Sequence, residues 1–100
     1  MDEVRKATEM DPKSAKAWLS RGVGNYYLPP ALGGGIDQAV QDLRKAIQLD
    51  PALAEAHLWL GVALRKAGKN AEARQSLTKS LELNPTRKWA RQQLEKTPAQ

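Results

Sequence analysis

The sequence predicts an all-α protein built from repeated antiparallel helix pairs, about six helices in all. Three observations carry this expectation. The chain matches itself at a fixed offset of 34 residues, apolar residues recur at i, i+3, i+4 and i+7, and no stretch alternates apolar and polar residues with period two.

The repeat is plainest between residues 36–51, IDQAVQDLRKAIQLDP, and residues 70–85, NAEARQSLTKSLELNP. Ala39 pairs with Ala73, Gln41 with Gln75, Leu43 with Leu77, Lys45 with Lys79, Leu49 with Leu83, and Pro51 with Pro85. A weaker third copy opens the chain, where Val4, Lys6, Ala7, Met10, Asp11 and Pro12 fall as Leu43, Lys45, Ala46, Leu49, Asp50 and Pro51 do.

The first element is therefore a helix over residues 2–10, the second half of a unit whose first helix the sequence does not contain. Residues 15–51 form the next unit. Its first helix must end at Pro29-Pro30, and Gly33-Gly34-Gly35 makes a permissive turn within a lengthened loop over 29–35. A second helix follows over 36–49, with Ile36, Ala39, Val40, Leu43, Ala46 and Ile47 on one stripe. It stops at Asp50-Pro51, because the residue before proline is pushed out of the α region. Residues 52–85 are a further unit. Ala56, Leu60, Ala63, Leu64 and Ala67 define its first helix, Gly68 stops it, and Asn70 is suited to cap the next. A closing helix over 86–96 carries Trp89, Ala90 and Leu94 on one side and charges elsewhere. Gly61 sits in mid-helix at a cost of about 0.5–1 kcal/mol relative to Ala, which makes sense where another backbone comes close. Ala73 is the expected neighbour, and Gly22 with Ala39 repeats the arrangement one unit earlier.

These residues carry a family resemblance. In AEAHLWLGVALRKAGKNAEARQSLTKSLELNP, His57 holds an aromatic place, Leu60-Gly61 a Leu-Gly pair and Leu64 a Tyr place. Ala73 holds an Ala place, Leu77 a Phe place and Ser80 an Ala place, and Pro85 closes the unit. The preceding unit has Trp18, Gly22, Ala39, Leu43, Ala46 and Pro51. Nearly the whole chain thus resembles the tetratricopeptide repeat family, which implies a right-handed α–α superhelix forming a single domain over 1–100, with 86–96 as a polar capping helix. Arg21 and Asn25 depart from the pattern, standing where the family prefers Leu and Tyr. The first full unit also departs in length, with 33 positions from Trp18 to Pro51 against 28 from His57 to Pro85. The unpaired opening helix points to a segment of a longer array, the alternative being completion by a second copy of the chain.

Composition bounds the chemistry. With no cysteine there is no disulfide framework, thiolate nucleophile or zinc–thiolate site. His57 is the one histidine, at a packing position, and Glu55 two residues before it lies on a different helix face. Neither a general-base pair nor a converging metal-ligand set is present, so no enzyme activity, cofactor or metal is expected. Asp37, Asp42 and Asp50 read as solvated charge. The glycine cluster lacks the strand and the Lys-Ser/Thr of a phosphate loop. No apolar run approaches the roughly 20 residues that span a bilayer, and the mixed-charge start is not a signal peptide, which leaves the cytoplasm as the default. The net charge of +5 is uneven, −2 over residues 1–12 and +3 over 86–100, and bases alternate with acids. Nucleic-acid binding is therefore disfavoured.

What remains is a surface for a protein or peptide. The resemblance implies that first helices line the concave groove, offering Lys16, Leu19, Ser20, Val23, Tyr26 and Tyr27, then Glu55, Leu58, Trp59, Val62, Arg65 and Lys66. Trp59 either faces that groove or packs on a neighbouring unit. The family's clamp for C-terminal carboxylates uses Lys and Asn where this chain has Leu19, Val23 and Trp59, which favours an apolar or aromatic segment. A homodimer through the open N-terminal end is the alternative.

Overall fold

A computed structural model of the protein describes residues 11–99. The helix expected over 2–10, and the open end expected to support a dimer, lie outside the described residues. Within them the chain forms α1 (Ala15–Tyr27), a 3₁₀ turn (Pro30–Leu32), α2 (Ile36–Leu49), α3 (Ala54–Lys66), α4 (Asn70–Leu83) and α5 (Lys88–Glu95), with no strand.

The helix ends follow from local chemistry. Ser14 caps α1 by accepting the Ala17 N–H at 3.2 Å. Leu28 is extended because Pro29 follows it, and Asp50 is extended before Pro51. The C-terminus of α3 closes as a Schellman motif. Gly68 has φ 83°, its N–H donates to the Arg65 carbonyl at 3.0 Å, and Lys69 N–H donates to Leu64 at 2.9 Å. Asn70 is the first residue of α4 and Lys69 occupies the cap position, so the expected Asn70 cap shifts by one residue. The long loop folds back on α1 through the Gly35 N–H, which donates to the Asn25 carbonyl at 2.8 Å. Gly35 holds φ 104°, and a Cβ on Gly34 would lie 2.5 Å from the Leu28 Cβ, so both positions need glycine.

Helix pairs α1/α2 and α3/α4 pack side by side, α3 rests on α2, and α5 rests on α4. One buried cluster joins Leu43, Leu60, Ala63, Leu64 and Ala73. A second joins Leu58, Val62, Leu77 and Ala90, and Tyr26 packs against both. The mid-helix glycines do admit a close approach. A Cβ on Gly61 would meet the Leu77 Cγ at 2.5 Å and the Ala73 carbonyl oxygen at 3.1 Å, and one on Gly22 would meet the Leu43 Cγ at 2.7 Å. The tightest neighbour is thus a leucine side chain, with the expected alanine contributing its carbonyl.

Asp42 corrects the sequence reading. It is 1% exposed, not solvated. Its carboxylate accepts from Asn25 Nδ2 at 2.5 Å and Gln38 Nε2 at 3.1 Å, and Arg21 Nε lies 3.4 Å away. A buried carboxylate is tolerable only with such partners. The two departures of α1, Arg21 and Asn25, are those partners. Asp37 and Asp50 are exposed as expected.

Candidate functional site

The same latch holds each first helix. Trp18 Nε1 donates to the Pro12 carbonyl at 2.8 Å, and His57 Nε2 bonds the Pro51 carbonyl at 2.9 Å. Arg91 Nη2 donates to the Pro85 carbonyl at 3.2 Å. In every case the donor stands six residues after the proline that closes the preceding unit. His57 is therefore occupied in setting helix register. The latch also places α5 as the counterpart of α1 and α3, so that Trp89 corresponds to Glu55 and Lys16.

That register brings four aromatic rings together from three successive first helices. Tyr26 and Tyr27 end α1, Trp59 stands midway along α3, and Trp89 opens α5. Tyr26 and Tyr27 pack edge to face at 4.9 Å, and Trp59 meets them at 5.8 and 6.0 Å. Trp59 and Trp89 lie 5.0 Å apart with rings tilted by 58°. Such offset pairs contribute about 0.5–1.5 kcal/mol each beyond area burial. Trp59 and Trp89 are partly buried, whereas Tyr27 is 70% exposed. Trp59 thus packs against neighbouring helices and keeps an edge at the surface.

Charge at one margin of the cluster is neutralised. Arg87 Nε and Nη2 donate to the two Glu55 carboxylate oxygens at 2.8 and 3.4 Å, and the guanidinium lies 5.7 Å from the Trp89 ring centre. The hydrogen bond and the charge of Glu55 hold Arg87 above its usual range.

The other expected groove residues divide. Lys16, Ser20 and Lys66 are exposed, and Leu19 and Val23 are partly buried. Leu58 and Val62, at 0% and 4% exposure, are core residues, which corrects the expectation that they line an open groove. They share a cluster with Leu77 of α4 and Ala90 of α5. Arg65 turns to the end of α5 and donates to the Gln93 carbonyl at 3.4 Å. Trp89 is the residue that sequence reasoning missed. Counting six residues from each closing proline would have aligned α5 with α3 and exposed it. An open cleft of about 460 Å³ lies elsewhere, between α2 and α4, lined by residues including Arg44, Ile47, Leu60 and Lys79. Among the described residues no group of acidic or imidazole side chains is placed to hold a metal, and no helix is long and apolar enough to cross a membrane.

Two family models match the chain, one described as TPR repeat over residues 32–67 and one as Tetratricopeptide repeat over residues 54–87. Small glutamine-rich tetratricopeptide repeat-containing protein 2 of Mycosarcoma maydis is 30% identical over 81 residues, 81% of this chain and 22% of that protein. Superkiller complex protein 3 of Homo sapiens is 42% identical over 69 residues, 69% of this chain and 4% of that protein. The chain therefore spans less than about a quarter of these relatives' length. Among solved structures, the first TPR of Spaghetti (RPAP3) bound to the HSP90 peptide SRMEEVD superposes with a TM-score of 0.84 at 24% identity, covering 95% of this chain and 73% of that one. The second TPR domain of human RPAP3 with the HSP70 peptide SGPTIEEVD gives 0.78 at 27% identity, covering 93% and 73%. MamA gives 0.80 at 24% identity, covering 93% and 52%.

Proposed function

The chain belongs to the tetratricopeptide repeat family, and from that premise we propose that it is a protein-interaction module that takes a peptide segment across the face of its first helices. The observation that carries this reading is the aromatic cluster of Tyr26, Tyr27, Trp59 and Trp89, which spans three first helices and reaches the surface. Partly exposed Tyr and Trp, beside an Arg, are the residue types that dominate binding energy at protein interfaces. In the family this face is the concave side of the superhelix.

The RPAP3 domains hold acidic chaperone peptides. Here Leu19, Val23 and Trp59 occupy places where the carboxylate clamp carries Lys and Asn, and Arg87 is already engaged by Glu55. The face suits an uncharged segment better than an acidic tail. Affinity capture from a peptide library, with and without Trp59→Ala, tests the proposal. Loss of captured peptides at unchanged helicity by circular dichroism supports it. Equal capture by the variant sinks it.

A further inference from the structure

Three kinds of segment could cross the aromatic face, and the arrangement of its polar atoms separates them. This inference rests on the reading of that face as a peptide site.

Tyr26, Tyr27, Trp59 and Trp89 each carry one hydrogen-bond donor at the rim of an apolar ring. Among the described residues none of these four donors has a partner. None of those on Tyr26, Trp59 and Trp89 is sealed from solvent either, since the buried unpaired side-chain atoms belong to other residues. Trp18 differs, because its indole N–H is bound to the Pro12 carbonyl. The face therefore offers flat aromatic surface whose ring donors are without partners among the described residues. The cation that touches these rings, Arg87, is neutralised by Glu55 at 2.8 Å.

An acidic C-terminal tail brings several negative charges, and the cation in contact with the rings, Arg87, is already held by Glu55, which leaves exposed lysines such as Lys16 and Lys66 away from the ring contacts. A helical segment brings an apolar stripe, but its carbonyls are consumed by its own hydrogen bonds, so the free donors would stay unmet. A polyproline II segment matches both features. It has no internal hydrogen bonds, presents uncharged carbonyls at regular intervals, and stacks pyrrolidine rings on aromatic faces. We infer that the face formed by Tyr26, Tyr27, Trp59 and Trp89 binds a proline-rich segment in the polyproline II conformation, with the indole N–H groups of Trp59 and Trp89 donating to its carbonyls.

The test follows the three indole N–H resonances by ¹H–¹⁵N NMR. The full chain is titrated with a neutral proline-rich decapeptide, a neutral amphipathic helical peptide and SGPTIEEVD. The expected result is saturable movement of the Trp59 and Trp89 resonances with the proline-rich peptide, with Trp18 unmoved. Trp59→Phe keeps an aromatic ring, though a smaller one, and removes the donor, and is expected to weaken binding about three- to tenfold. Glu82→Gln, at an exposed position of α4 outside the aromatic cluster, leaves affinity within about twofold. Tighter binding of the helical peptide or of SGPTIEEVD at the same resonances would overturn the proline-rich assignment and leave the peptide face standing. Unmoved indoles with all three peptides would overturn the assignment and the peptide face together.

Discussion

Replacing Gly61 by alanine sets two known energies against each other. Alanine gains about 0.5–1 kcal/mol over glycine inside a helix. Against that gain, the new Cβ would sit 2.5 Å from the Leu77 Cγ, 2.8 Å from its Cδ2 and 3.1 Å from the Ala73 carbonyl oxygen. Leu77 is fully buried and the carbonyl is backbone, so neither can swing aside. Overpacking of a filled core costs about 1–3 kcal/mol, which leaves Gly61→Ala between about neutral and roughly 2.5 kcal/mol destabilised. For a domain of this size that lowers the melting temperature by up to about 20 °C. Gly24→Ala is the control. It lies inside α1 with nothing within 4 Å of its Cβ, so only the helix term acts. Gly24→Ala should raise the melting temperature by a few degrees, about 0.5–1 kcal/mol. Thermal unfolding followed at 222 nm reads both variants. If Gly61→Ala stabilises as much as Gly24→Ala, the close approach of α3 and α4 is not as described and the argument fails.

Other consequences are equally specific. Asp42→Ala removes the buried carboxylate shared by Asn25, Gln38 and Arg21 and should cost about 2–4 kcal/mol in urea unfolding. Restoring the family's residues with Arg21→Leu and Asn25→Tyr in that background should recover most of the loss. Ser80 stands in an alanine seat with its hydroxyl buried and unbonded among the described residues. Ser80→Ala should therefore stabilise by about 1 kcal/mol, seen as a higher urea midpoint at unchanged slope. Glu55 and Arg87 are 38% and 40% exposed at the side chain. Glu55→Gln should shift stability by less than about 1 kcal/mol at low salt and by nothing measurable in 1 M NaCl.

The extent to which the site was legible follows from where each signal resides. Trp59 and the two tyrosines could be read because their helix register is local, set by Gly22, Gly61 and the closing prolines. Trp89 escaped because α5 lacks the glycine that marks the earlier first helices, Glu95 standing where Gly22 and Gly61 stand. Its equivalence rests on the Arg91 latch to Pro85, a hydrogen bond rather than a residue type. Leu58 and Val62 carry the periodicity of groove residues. Only the packing of neighbouring helices, with Leu77 of α4 and Ala90 of α5 in the same cluster, decides that they are covered.

By itself the sequence determined the all-α class, the unit length, the helix ends at Pro29-Pro30, Asp50-Pro51 and Gly68, and the tetratricopeptide family. These depend on backbone restrictions and on period, which a chain displays residue by residue. Tertiary structure alone decided the fate of Asp42, which is charged in every linear reading and buried because Arg21 and Asn25 arrive from α1. It alone gathered Tyr26, Trp59 and Trp89, residues 33 and 30 positions apart, into one aromatic surface. Burial and convergence are properties of what packs against a residue, and that partner is supplied by another helix.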